Sequence, residues 1–101
     1  MKSAEVLESE IGGSFGNRLT LLQFSSAFCT PCRATRGLLR DITKGLEDVK
    51  YIEIDAESNL ELVRKLEINS TPTTLILNNQ GVEVGRAVGA PTREQVLKAI
   101  T

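Results

Sequence analysis

Apolar positions along the chain fall into alternating strand-like and helix-like blocks. Leu19-Thr20-Leu21-Leu22-Gln23-Phe24 is nearly all apolar or β-favouring, the pattern of a strand covered on both faces. Leu38, Leu39, Ile42 and Leu46 then recur at helical spacing. Val49-Lys50-Tyr51-Ile52-Glu53-Ile54-Asp55 predicts a second strand, and Ser58 with Glu61 forms a capping-box pattern ahead of Leu62, Val63 and Leu66. Thr73–Leu77 and Val82–Val88 are two β-rich runs joined by Asn78-Asn79-Gln80-Gly81, a short polar connection that predicts a hairpin. Thr92 with Gln95 repeats the capping-box pattern and opens a last helix expected to bury Val96, Leu97 and Ile100.

The predicted order is β-α-β-α-β-β-α. A βαβ unit implies parallel strands with a right-handed crossover, and the hairpin adds antiparallel ones. The expected fold class is therefore α/β, a mixed central sheet with helices on both faces. The N-terminal part is short: Ala4–Leu7 is expected as a brief edge strand, and Gly12-Gly13-Ser14 and Gly16-Asn17 as loop.

Composition narrows the function classes. At 101 residues the chain is expected to form one domain over 1–101, with one core. A formal net charge of −1 gives no reason to expect nucleic acid or an anionic membrane as the main partner. No apolar run approaches the ~18 residues of a membrane span. Met1-Lys2-Ser3-Ala4-Glu5 lacks the apolar stretch of a signal peptide, so a cytoplasmic location is expected; a monomer is expected as well.

The chain's only two cysteines form Cys29-Thr30-Pro31-Cys32, between the first strand and the helix after it. A thiol at a helix N-terminus faces unpaired N–H groups and the positive end of the helix dipole, which favour thiolate over thiol. The thiolate is the reactive form. Pro31 suits the first turn, where its missing N–H costs nothing. Two intervening residues bring the sulfurs within disulfide reach. Cys29 is expected to be the exposed nucleophile and Cys32, one turn inside, the resolving thiol. A structural zinc site needs four ligands, and this chain has two cysteines and no histidine. A purely structural bridge over so short a loop restrains the unfolded chain little. Two coincidental core thiols are the remaining alternative.

Several segments together resemble the thioredoxin family, from about Leu19 to the C-terminus. These are Phe24 before the motif, the CxxC itself, Ile54-Asp55 ending a strand, Thr71-Pro72-Thr73 before the next strand, and Val88-Gly89-Ala90 before the last helix. The resemblance implies a thioredoxin-like fold with a shortened N-terminal part, and a cis peptide bond at Thr71-Pro72 packed beside the cysteines. It also implies that the Thr71 backbone offers hydrogen bonds to an extended substrate segment. Gly89 matches a glycine lining the substrate groove, where a side chain would block close backbone approach. Phe28, Thr30 and Pro31 complete the implied substrate-binding surface. Neither a metal nor a tightly bound cofactor is implied; the partners are protein disulfides and a separate reductase that donates electrons.

The departures from the family are specific. Phe28 stands where the family usually has tryptophan, which keeps an apolar platform and loses the indole N–H. Gln23 matches a buried aspartate, and an amide cannot accept and return a proton. Tyr51 matches the lysine often paired with that aspartate, so the pair is lost together. Gly37 matches a helix-kinking proline and imposes less bend. The dipeptide is Thr-Pro rather than Gly-Pro; proline beside Cys32 resembles the reducing end of the family. Arg33, Arg36, Arg40 and Lys44 follow helical spacing. They form either a solvated helix face or, in Arg33 and Arg36, charges that favour the Cys29 thiolate and steer acidic partners.

The function expected from these residues is thiol-disulfide oxidoreduction, reducing protein disulfides as a protein-disulfide reductase. The alternative is a non-catalytic binding module or redox sensor on the same fold that changes partners on oxidation.

Overall fold

A computed structural model describes residues 4–101; the Met1–Ser3 part of the leader expectation lies outside the described residues. Strand β1 (Leu19–Ser25) runs through the middle of a four-stranded sheet of order β2-β1-β3-β4. It pairs parallel to β2 (Val49–Asp55) and antiparallel to β3 (Thr73–Asn78), and β3 pairs antiparallel to β4 (Glu83–Val88). Parallel strands need a crossover, and helix α2 (Thr30–Lys44) supplies it. Helix α3 (Leu60–Lys65) links β2 to β3, and α4 (Arg93–Ile100) closes the chain. The sheet is mixed, with helices on both faces, as the pattern predicts.

Alternation along the strands sorts the core into two layers. Leu22, Phe24, Leu75 and Leu77 pack with Leu62 of α3 and with Leu66 just after it on one face. Leu21 and Val49 pack with Leu39 and Ile42 of α2 and with Val96 and Ile100 of α4 on the other. Gln23, two residues on from Leu21, therefore points toward α2.

Three local expectations are corrected. Ser58 does not cap α3. Its hydroxyl donates to Asp55 Oδ2 at 2.7 Å, and it ends a 3₁₀ turn (Ala56–Ser58) that delays the helix to Leu60. Ala4–Leu7 forms one antiparallel bridge, Glu5 to Val82, rather than a strand. A one-turn helix, α1 (Glu8–Ile11), follows it, tied down by the Leu7 N–H to Glu10 Oε1 at 2.8 Å. Leu97 is exposed, since only Val96 and Ile100 of α4 face the sheet. The capping box at Thr92 forms as expected: its hydroxyl accepts the Gln95 N–H at 3.1 Å, and Gln95 Oε1 accepts the Thr92 N–H at 2.9 Å. The hairpin turns at Gly81, whose φ of +82° lies in the left-handed region and whose Cβ position is filled by Val6 O and the Phe15 ring. No helix among the described residues is long and apolar enough to cross a membrane.

Candidate active site

Three loops meet at the end of the sheet where β1 and β4 finish and β3 begins. The first carries the motif. Cys29 is the N-cap of α2 in an extended conformation, and its Sγ accepts the Cys32 backbone N–H at 3.2 Å. That contact uses one of the donors a helix start leaves unpaired, the feature that favours negative charge on the first sulfur. Thr30 and Pro31 occupy the first turn, with both side chains at the surface. Cys29 and Cys32 are joined as a disulfide across that turn, with Cα atoms 5.1 Å apart. Cys29 is half-buried, whereas Cys32 is 1% exposed. Phe28, just before them, is 95% exposed and has φ +60°, a left-handed conformation that is uncommon for a bulky residue.

The second loop carries the Thr71–Pro72 bond, which is cis. Ser26, directly after β1, hydrogen-bonds through its hydroxyl to the Thr71 hydroxyl at 2.7 Å and so fixes this loop beside the motif. The third loop joins it through the Gly89 N–H, which donates to Pro72 O at 2.8 Å. Glycine at 89 also has a conformational reason. A Cβ there meets nothing within 4 Å, but φ is +87°, so conformation rather than space within the chain requires it.

Beneath the motif lies a polar network inside a largely apolar layer. Gln23 is fully buried. Its Nε2 donates to Cys32 O at 3.0 Å and to Ser25 Oγ at 2.9 Å, and its Oε1 accepts the Tyr51 hydroxyl at 2.6 Å. Tyr51 and Gln23, the two positions at which the charged pair is lost together, thus form a hydrogen-bonded neutral pair. Burial and the neighbouring Glu53 carboxylate push the Tyr51 phenol up to about 12, so it stays a donor at neutral pH.

The network continues to the surface. The Ser25 hydroxyl donates to Glu53 Oε2 at 2.8 Å, and Arg36 grips the same carboxylate with Nε to Oε1 at 2.7 Å and Nη2 to Oε2 at 2.8 Å. Arg36 is thus committed to Glu53 rather than free to serve Cys29. Arg33 is exposed and makes no ion pair among the described residues, which leaves its guanidinium uncommitted beside the motif. Gly37 lies within α2, which continues unbroken to Lys44. No three His, Cys, Asp or Glu side chains cluster as metal ligands among the described residues.

Sequence reasoning missed Ser25, Ser26 and Glu53. Glu57, whose Oε1 accepts the Ala27 N–H at 3.1 Å just ahead of the motif, was missed as well. The signal for Glu53 was its place in a strand that alternates Tyr51, Glu53, Asp55 on one face, but only the parallel register Gln23↔Glu53 brings it to the site.

The Thioredoxin family model matches residues 4–101. The chain belongs to the thioredoxin family. The thioredoxin of Chlamydia trachomatis is 28% identical over 96 residues, which cover 95% of this chain and 93% of that protein. Thioredoxin H2-1 of Oryza sativa subsp. japonica is 30% identical over 77 residues, 76% of this chain and 55% of its own. The chain thus spans little more than half the length of that rice relative. The crystal structure of the thioredoxin NaTrxh from Nicotiana alata superposes with a TM-score of 0.74 at 28% identity, over 83% of this chain and 71% of that one. Within the thioredoxin family this chain keeps the disulfide pair and the cis proline, and rests them on a glutamine held by Tyr51 and Ser25.

The Arg36 guanidinium holds the Glu53 carboxyl below the usual carboxylate range. A depressed folded-state pKa gives stability that is present above the unfolded value of about 4.3 and lost as pH falls through the folded one. Glu53→Gln is therefore expected to lower the urea midpoint at pH 7, with the gap from the parent protein closing by pH 3. A gap of constant size would show that the ion pair contributes nothing through charge.

Proposed function

We propose that this chain is a thiol-disulfide oxidoreductase that reduces protein disulfides. The observation that carries the reading is the asymmetry of the two sulfurs: Cys29 accepts the Cys32 N–H of the first turn of α2 at a half-buried N-cap, and Cys32 is sealed one turn inside. In the reduced protein the Cys29 thiolate attacks one sulfur of a substrate disulfide. A mixed disulfide forms and the substrate's other sulfur leaves as a thiolate. Cys32, once deprotonated, then attacks Cys29 Sγ, the bond from Cys29 to substrate breaks, and the Cys29–Cys32 bridge remains. Two electrons have passed from the dithiol to the substrate. A separate reductase returns the bridge to the dithiol.

The substrate segment is proposed to lie extended between Phe28 and the Thr71–Pro72 loop. There the Thr71 backbone can pair with it as an added strand and Gly89 admits a close backbone. Phe28 offers an exposed apolar platform for its side chains.

The test is turnover of insulin disulfides with dithiothreitol as electron donor, together with limiting alkylation of the reduced protein at pH 7. Insulin is expected to be reduced faster than by dithiothreitol alone, and Cys29 to be labelled well before Cys32. Equal labelling would remove the role assignment. A stable disulfide-linked complex without turnover would instead favour a redox-switched binding module.

A further inference from the structure

Cys32 is 1% exposed, so the proton it must shed before attacking Cys29 needs an acceptor inside the protein. The groups packed beneath it are mostly unsuitable. Gln23 is an amide with both ends engaged, and Tyr51 is a donor whose phenol stays protonated. Thr35 and Thr74 are buried and offer hydroxyls, which do not act as bases near neutral pH. A carboxylate stands one step further along. The Gln23 amide group is shared by Cys32 O and Ser25 Oγ, which sets the Ser25 hydroxyl beside the Cys32 backbone, and that hydroxyl already points its proton at Glu53 Oε2.

We propose that Glu53, acting through the Ser25 hydroxyl, takes up the proton that Cys32 sheds when it resolves the mixed disulfide. This rests on the oxidoreductase reading above and adds a positioning residue to it. The thiol proton passes to Ser25 Oγ as the Ser25 proton passes to Glu53 Oε2, and the Cys32 sulfur forms its bond to Cys29. The departing substrate thiolate or water then recovers the proton. The last step is open to solvent, because Ser25, Ser26, Ala27, Arg36, Glu53 and Asp55 line a cleft of about 340 Å³ beside the motif.

The charges around Glu53 fit a shuttle that is always ready. Arg36 and Arg40 face it from α2, and Tyr51 and Asp55 lie two residues to either side on β2. The Asp55 carboxylate is itself occupied by the Glu57 N–H and the Ser58 hydroxyl. Held ionised by Arg36, Glu53 is available from weakly acidic to alkaline pH, unlike a base that titrates near 7. It is a weak base, so the transfer is uphill and depends on the leaving thiolate to complete it.

Resolution can be timed apart from attack with 5,5′-dithiobis(2-nitrobenzoate). Attack by Cys29 releases one thionitrobenzoate and resolution by Cys32 releases the second. Glu53→Gln is expected to slow the second release by about tenfold between pH 6 and 7.5, with the first unchanged and the deficit narrowing above pH 9, where transient opening of the site lets hydroxide take the thiol proton. Ser25→Ala, which leaves the Arg36–Glu53 ion pair in place, is expected to do the same, and it decides the matter if Glu53→Gln does not fold. An unchanged second release, or a deficit that persists undiminished at pH 9, overturns the proposal. Failure of the parent protein to release the first thionitrobenzoate through Cys29 would instead overturn the oxidoreductase reading on which it rests.

Discussion

Cys32→Ser is expected to accumulate a covalent complex between Cys29 and a protein substrate, whereas Cys29→Ser is expected to form none. Resolution is intramolecular: Cys32 sits one helical turn from Cys29, with Cα atoms 5.1 Å apart, so its sulfur acts at a high effective concentration. Replacing it with a hydroxyl leaves only external thiols to cleave the mixed disulfide. Insulin reduction should therefore fall on the order of 10²-fold or more, and complex lifetime should shorten as dithiothreitol is raised. Removing Cys29 takes away the nucleophile itself, and Cys32 cannot substitute because it is buried beneath the helix start. Non-reducing electrophoresis after incubation with reduced or oxidised cell protein separates the outcomes. Trapping by Cys29→Ser alone would reverse the order of the two cysteines, and equal trapping would remove the role assignment.

Much of this fold was legible because burial is written directly into composition. The run at Leu19–Phe24 is covered on both faces and is apolar or β-favouring at nearly every position, and the spacing of Leu39 and Ile42 turns one helix face inward. The motif was legible for a different reason: a helix start has its own electrostatics, and a cysteine there has consequences whatever lies around it. The support beneath the motif was not legible. Gln23 lies about thirty residues from Tyr51 and Glu53 in sequence, and only the parallel register of β1 with β2 makes them its neighbours. Short elements were lost as well, since four residues of α1 are too few to show a period. At Ser58 a local competitor prevailed, because the Asp55 carboxylate accepts the hydroxyl that the capping-box pattern assigned to the helix.

Gln23→Asp is expected to speed resolution near neutral pH and to cost stability, and the network explains both. The new carboxylate would lie under Cys32, fully buried and close to Glu53; desolvation and the neighbouring negative charge both raise its pKa toward neutrality. A base of that strength positioned directly beneath the thiol is better matched to the transfer than the weaker carboxylate of Glu53, so the second thionitrobenzoate release should accelerate and gain a new inflection near neutral pH. The stability cost follows from lost donors. The Gln23 amide gives hydrogen bonds to Cys32 O and Ser25 Oγ that a carboxylate cannot give, and Tyr51 supplies a hydroxyl but no positive charge. The expected loss is about 3 kcal/mol at pH 7, roughly 10–20 °C in Tm for a chain of this size. Because the folded-state pKa of the new group is raised, the folded protein binds the extra proton. The part of the penalty that comes from charge is therefore absent below the unfolded value of about 3.9, grows as pH rises, and is complete above the folded pKa. Urea titrations at pH 4 and pH 8 should show the variant nearer the parent protein at the first and far below it at the second. A penalty that does not change with pH would mean that the new carboxylate is solvated rather than buried. An unchanged resolution rate would mean that the proton already leaves Cys32 by a route that a nearer, stronger base does not improve.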